Sequence, residues 1–186
     1  MAFILIGCLA FSFLYLFDFN KIRLNCKSIN VCFAISVVLL AYSTIGILLG
    51  HYKRTIVNLP LQIIAGFFAV IALILLLYSL FFALPFNATY VDAEDNNTVV
   101  DTGMYALCRH PGVIWFFFLY LFLWLSSGIK IMMWAGLVWT LMDVFHVYLQ
   151  DNWFFPLSLK DYELYKTGTP FLIPSLGSIK KSITTF

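Results

Sequence analysis

Arg109 and His110 stand directly before Pro111, at a point where a polar loop gives way to an apolar run. Proline is well suited to the first position of a helix, because its missing N–H costs nothing there. The free N–H groups of such a turn carry the positive end of the helix dipole. A guanidinium, an imidazole and a helix N-terminus side by side make a seat for a carboxylate or a phosphate. Headgroup anchoring by Arg109 and helix capping by His110 are the bland alternative. A second polar cluster follows the last apolar run: Gln150-Asp151-Asn152, then Lys160-Asp161-Tyr162-Glu163-Leu164-Tyr165, then Thr169-Pro170 and Ile173-Pro174. Tyr162 and Tyr165, three apart, share one face of a short helix. Pro170 and Pro174 predict an extended strap with no further helix. An acid or amide at Gln150 or Asp151 suits a ligand ammonium or a ribose hydroxyl, and interfacial anchoring by the aromatic residues is the alternative. A third set lies within an apolar run, where Trp139, Asp143, His146 and Gln150 recur at helical spacing. A carboxylate inside a membrane helix is costly and usually faces a cavity or a partner. Asp143 and His146, three apart, are spaced to pair. They are the candidate catalytic groups for binding an acceptor or removing its proton, with polar glue between helices as the alternative.

The elements that carry these residues follow from hydropathy. Apolar residues make up 62% of the 186-residue chain and charged residues 11%, against about 45–50% and about 25% in a soluble domain. A chain this short cannot hide that surface in its own core, so lipid must be part of its solvent. A spanning helix needs about 20 apolar residues. Five stretches qualify: 1–17, 31–50, 59–86, 113–126 and 131–150. The fourth is short, and Pro111 and Gly112 open it. The last two are separated only by Ser127-Gly128-Ile129-Lys130, a tight helical hairpin. The expected fold is therefore all-α, a single polytopic integral membrane domain over 1–186. It has a polar loop at 87–112 and a C-terminal tail at 150–186.

Lys21, Arg23, Lys27, Arg109, Lys160, Lys166, Lys180 and Lys181 fall on one side of such a bundle, and Lys53, Arg54 and Lys130 on the other. The positive-inside rule then predicts a multi-pass protein with the 87–112 loop and the tail in the cytosol. Asn87-Ala88-Thr89 and Asn96-Asn97-Thr98 match glycosylation sequons but face the cytosol on this reading. Leu5-Ile6-Gly7-Cys8 resembles a lipoprotein box, yet no charged start or sufficient apolar stretch precedes it; an uncleaved spanning helix is expected. The net charge of +2 and the absence of basic runs argue against nucleic acid. Cys8, Cys26, Cys32 and Cys108 form no CxxC pair, which argues against metal and against a disulfide framework.

Thr102-Gly103-x-Tyr105-x-x-x-Arg109-His110-Pro111, followed by Tyr162-x-x-Tyr165, Thr169-Pro170 and Ile173-Pro174, resembles the membrane methyltransferases that include isoprenylcysteine carboxyl methyltransferase and the phospholipid N-methyltransferases. The likeness covers roughly the last ninety residues. It implies S-adenosylmethionine bound between the Arg-His-Pro segment and the tail at the cytosolic membrane face. The methyl acceptor would be lipophilic or membrane-bound: a carboxylate, amine or thiol. Arg109, His110 and Pro111 would hold the cofactor with Tyr162 and Tyr165, and Gly103 and Tyr105 would shape its pocket. Gln150 and Asp151 stand where the family has paired Glu. Val113, Trp115 and Ser158-Leu159 are further departures from the pattern. Two rival readings remain: an NADPH-dependent membrane reductase of the sterol-reductase type, and a non-catalytic membrane scaffold with a decayed site.

Overall fold

The structure, a computed structural model, describes residues 1–50, 52–55, 58–83 and 99–185. Both sequons, the end of the third predicted span and part of the 87–112 loop lie outside them. The described residues form helices and turns, with one isolated antiparallel bridge between Arg54 and Ile129 and no sheet.

Five long helices make the bundle: α1 (Ala2–Phe19), α2 (Val31–Leu49), α3 (Leu59–Leu77), α5 (Pro111–Ser127) and α6 (Lys130–Leu149), with the short α4 (Met104–Leu107) between α3 and α5. Each long helix is apolar over most of its circumference, the pattern of a helix solvated by lipid. Four helical stretches are long and apolar enough to cross a membrane: Ala2–Leu24, Lys27–Leu49, Leu59–Phe82 and Lys130–Ser158. The fourth predicted span is the shorter one. α5 has 17 residues, about 26 Å at 1.5 Å per residue, against a hydrocarbon core of about 30 Å. Pro111 does open it, and Gly128 closes it with φ 68°, a left-handed cap that returns its N–H to Trp124 O. The α5–α6 hairpin is as tight as expected.

Successive long helices run antiparallel. At one end Thr55 N–H donates to Gly128 O (2.7 Å), tying the loop after α2 to the loop after α5. At the other end α1, α3 and α6 each finish in a π turn: Asn20–Leu24, Tyr78–Phe82 and Gln150–Phe154. π turns often mark functional sites, and the polar residues of the chain collect at this end. Mid-bundle, Trp139 is fully buried and donates from Nε1 to Ile4 O (3.1 Å). Gly7 makes room for it, since a Cβ there would stand 2.2 Å from the indole. Gly136 gives Tyr120 the same space, and Tyr120 shares a 2.7 Å hydrogen bond with Thr44.

The tail is more helical than its prolines suggest. α7 (Phe155–Ser158) and α8 (Tyr162–Gly168) are followed by a non-helical strap and then by α9 (Leu176–Thr185). The predicted strap is real, but Pro174 precedes a new helix instead of ending the structure.

Candidate functional site

Asp151 is the centre of the polar end. It lies in the π turn after α6, is 4% exposed, and gathers partners from two segments, the Arg109-His110 pair and α8. Arg109 Nη1 donates to Oδ2 (3.0 Å), Tyr162 OH donates to Oδ1 (2.7 Å), and His110 Nε2 lies 3.2 Å from Oδ1. Lys166 Nζ donates to the Asp151 carbonyl (3.1 Å) and stands 3.7 Å from Oδ2. An ionised carboxylate only accepts, so His110 must carry its proton on Nε2 and leave Nδ1 as an acceptor. Burial holds the His110 pKa below its ordinary value, against the pull of Asp151, so the ring is neutral at pH 7. Burial and then Asp151 push the Tyr162 hydroxyl well above its usual range, so it remains a donor.

Aromatic rings line this cluster. Phe155 stacks on His110 at 6.0 Å, Phe171 meets it edge-on at 5.1 Å, and the Arg109 guanidinium lies 5.5 Å from the Phe171 ring. The Arg109 N–H donates to Pro170 O (2.8 Å), so the strap is pinned to the Arg-His-Pro segment by backbone as well. Arg109 Nε is buried and has no acceptor.

The other predicted site residues divide into three groups. Tyr162 and Tyr165 share a face as their spacing requires, with rings 5.7 Å apart. Tyr165 OH donates to Tyr105 O (2.6 Å), and Tyr105 OH donates to Ser79 O (2.9 Å), which links the tail through α4 to the end of α3. Gly103 is a backbone junction. Its φ of 54° and ψ of −126° suit glycine, its N–H donates to Thr185 Oγ1 (3.0 Å), and its carbonyl accepts from Ser182 (2.8 Å). Pro111 is buried at the first turn of α5. Cys108 is fully buried, and burial raises its pKa to about 11, so it is an unreactive filler at neutral pH.

The third group forms its own cluster, built differently from the expected pair. His146 Nε2 lies 2.6 Å from Asp18 Oδ2, and Gln150 Nε2 donates to the same oxygen (2.8 Å). No hydrogen bond joins Asp143 to His146; Asp143 is half-buried one turn away. The reason is reach. Asp18 comes from α1, across the α1–α6 contact, and meets the imidazole head-on. Gln150 accordingly serves the Asp18 cluster, while its neighbour Asp151 serves the Arg109 cluster. Sequence reasoning missed Asp18, although one carboxylate near the end of an apolar run is itself a signal. It also missed Lys166 as a site partner.

A cavity of 240 Å³ adjoins the cluster behind Tyr165, lined by Asp101, Lys160, Asp161, Leu164, Thr169 and Lys181 among others. It is smaller than the about 300–1,000 Å³ of typical ligand pockets, and neither Arg109 nor His110 lines it. A separate apolar cleft of 200 Å³ opens between α5 and α6, lined by Phe117, Trp124, Met133 and Leu137 among others. Among the described residues no cluster of His, Cys, Asp and Glu has the makings of a metal site. No protein-family model, no curated protein and no solved structure matches the chain.

Proposed function

We propose that this chain is a five-span membrane methyltransferase that uses S-adenosylmethionine. It would be of the isoprenylcysteine carboxyl methyltransferase and phospholipid N-methyltransferase type, with its site facing the cytosol and a lipophilic acceptor. The observation that carries the reading is the meeting of Arg109 and His110 with Tyr162 and Lys166 on buried Asp151, at one end of an apolar bundle. The motif and the tail lie more than forty residues apart in sequence, yet they assemble one polar centre. Arg109 Nε, a buried cationic donor with no acceptor, is the group that fits a ligand carboxylate. Arg109, His110 and Pro111 would hold the cofactor with Tyr162 and Tyr165, while Gly103 and Tyr105 keep the tail seated. When bound, the cofactor supplies an electrophilic methyl group on a sulfonium.

The chain's own residues align the reactants and exclude water, a contribution of about 7–11 kcal/mol for well-oriented partners. His146 removes a proton from an amine or thiol acceptor, with Asp18 holding the imidazole and Asp143 nearby; a carboxylate acceptor needs no base.

A second reading rests on the near-closure of the same network. Four donors from the protein already converge on Asp151. On this reading they only fasten the tail, and the chain is a membrane scaffold.

Calorimetric titration with S-adenosylhomocysteine, which keeps the carboxylate, separates the two. A charge-assisted hydrogen bond contributes about 1.5–3 kcal/mol. Arg109→Ala should therefore weaken binding by roughly tenfold to more than a hundredfold. Arg109→Lys should recover only part, because an ammonium lacks the planar fork. Equal affinity in all three proteins removes Arg109 from the site. No binding to the wild type supports the scaffold, or a reductase where NADPH binds instead.

A further inference from the structure

α9 is amphipathic in the reverse sense for a helix packed on a protein. Ser178 and Ser182 are buried, and Ser182 and Thr185 make the hydrogen bonds to Gly103. Leu176, Ile179 and Ile183, spaced three and four apart on the opposite face, are 88%, 39% and 73% exposed. The polar side is thus the side that holds the protein, and the aliphatic stripe points away from it. Lys180 borders the stripe, is exposed, and makes no ion pair among the described residues. Ile173, Leu164, Leu157 and Trp153 of the tail, and Tyr148 and Phe145 of α6, are exposed apolar side chains as well. α6 belongs to a stretch long and apolar enough to cross the membrane.

The depth of α9 is fixed by what it sits on. It packs against α4. Tyr105 of α4 reaches back to Ser79, inside the Leu59–Phe82 stretch. Eight residues, one turn of them helical, then lead from Gly103 to Pro111 at the start of α5. That path is at most about 20 Å, so α9 cannot stand far from the membrane surface. A short helix with an aliphatic stripe, a lysine at its border and this position has the makings of an interfacial helix.

We propose that α9 lies in the membrane interface, with Leu176, Ile179 and Ile183 turned into the boundary between headgroups and acyl chains. Lys180 meets the anionic headgroups. The tail is then held from both sides, by Gly103 and the Asp151 cluster within the protein and by lipid outside it. The occupant is lipid because α9 packs on α4, which is tied through Tyr105 to Ser79 at the end of a stretch long and apolar enough to cross a membrane, and because Lys180 suits anionic headgroups.

The test uses the full chain in vesicles of phosphatidylcholine and phosphatidylserine. Nitroxide labels are placed at Ile183→Cys and, as a control, at Thr184→Cys on the flank of the helix, with the signal of the native cysteines subtracted. Collision rates with oxygen and with a water-soluble nickel chelate report depth. The ratio of oxygen to nickel collisions should be severalfold higher at 183 than at 184. Leu176→Cys repeats the measurement where the first variant fails to fold. Equal ratios at 183 and 184 in vesicles overturn the proposal. So does dipolar broadening at 183 that disappears on dilution with unlabelled chain, which would make a second copy the occupant.

Discussion

Replacing Asp151 probes the junction between tail and bundle directly. Asp151→Ala leaves the Arg109 cation, the His110 N–H and the Tyr162 hydroxyl buried beside an absent acceptor. Breaking a buried charged pair by removing one partner costs about 3–5 kcal/mol. Asp151→Asn keeps the shape and one carbonyl. If that carbonyl serves Tyr162 and His110, the amide NH₂ faces Arg109, and one charged hydrogen bond of about 1.5–3 kcal/mol is lost. These losses fall on the tail, because Asp151 is what Tyr162 and Lys166 grip. Amide hydrogen exchange reads local opening. The reporters are the Tyr165 N–H bonded to Asp161 O and the Arg109 N–H bonded to Pro170 O. At 1.4 kcal/mol per tenfold, exchange should quicken by about a hundred- to several thousandfold in Asp151→Ala and by about ten- to a hundredfold in Asp151→Asn. Amides in α2 and mid-α3 should keep their protection. Unchanged tail exchange in Asp151→Ala would refute the claim that this carboxylate seats the tail. Equal loss in α2 would show that it supports the whole bundle instead.

The remaining expectations concern backbone, packing and pH. Gly103→Ala places a side chain at φ 54° and ψ −126°; strain of about 1–3 kcal/mol should loosen α9, seen as faster exchange over 176–185. Gly7→Ala sets a Cβ against the Trp139 ring and should cost about 1–3 kcal/mol. Gly66→Ala, whose nearest neighbour would be 3.9 Å away, should leave thermal stability in detergent unchanged or improved. His110 has a folded pKa depressed by burial, so between that value and about 6.5 the unfolded chain binds the extra proton. Its contribution is therefore complete above about pH 6.5 and is lost as pH falls through the folded pKa. Tail protection should weaken on acidification over that range, and His110→Asn should flatten the dependence.

The long helices were legible because apolar length alone specifies them, and Pro111 and Gly128 punctuate the last pair. The meeting of Arg109, His110, Asp151 and Tyr162 was also within reach of the sequence, since polar groups flanking apolar runs collect at the ends of a bundle. The division between Gln150 and Asp151 was not legible. Adjacent helical residues point about 100° apart, so which one faces which neighbour depends on how α6 is rotated against α1 and the tail. His146 shows the same limit: spacing offered it Asp143, and only the packing of α1 supplies Asp18. α9 escaped notice because its stripe is three residues long and its packed side is the polar one.

The bond between Asp18 and His146 joins residues 128 positions apart, and Trp139 reaches back from α6 to Ile4. At a synthesis rate of about 5–20 residues per second, roughly 6–25 s separate the emergence of Asp18 from that of its imidazole. During that interval the first helix carries a carboxylate into the membrane without its partners, and the groove opened by Gly7 has no indole to fill it. A chain stopped before α6 would therefore display an acidic, poorly packed first helix. The first helix therefore reaches its full packing only once α6 is in place.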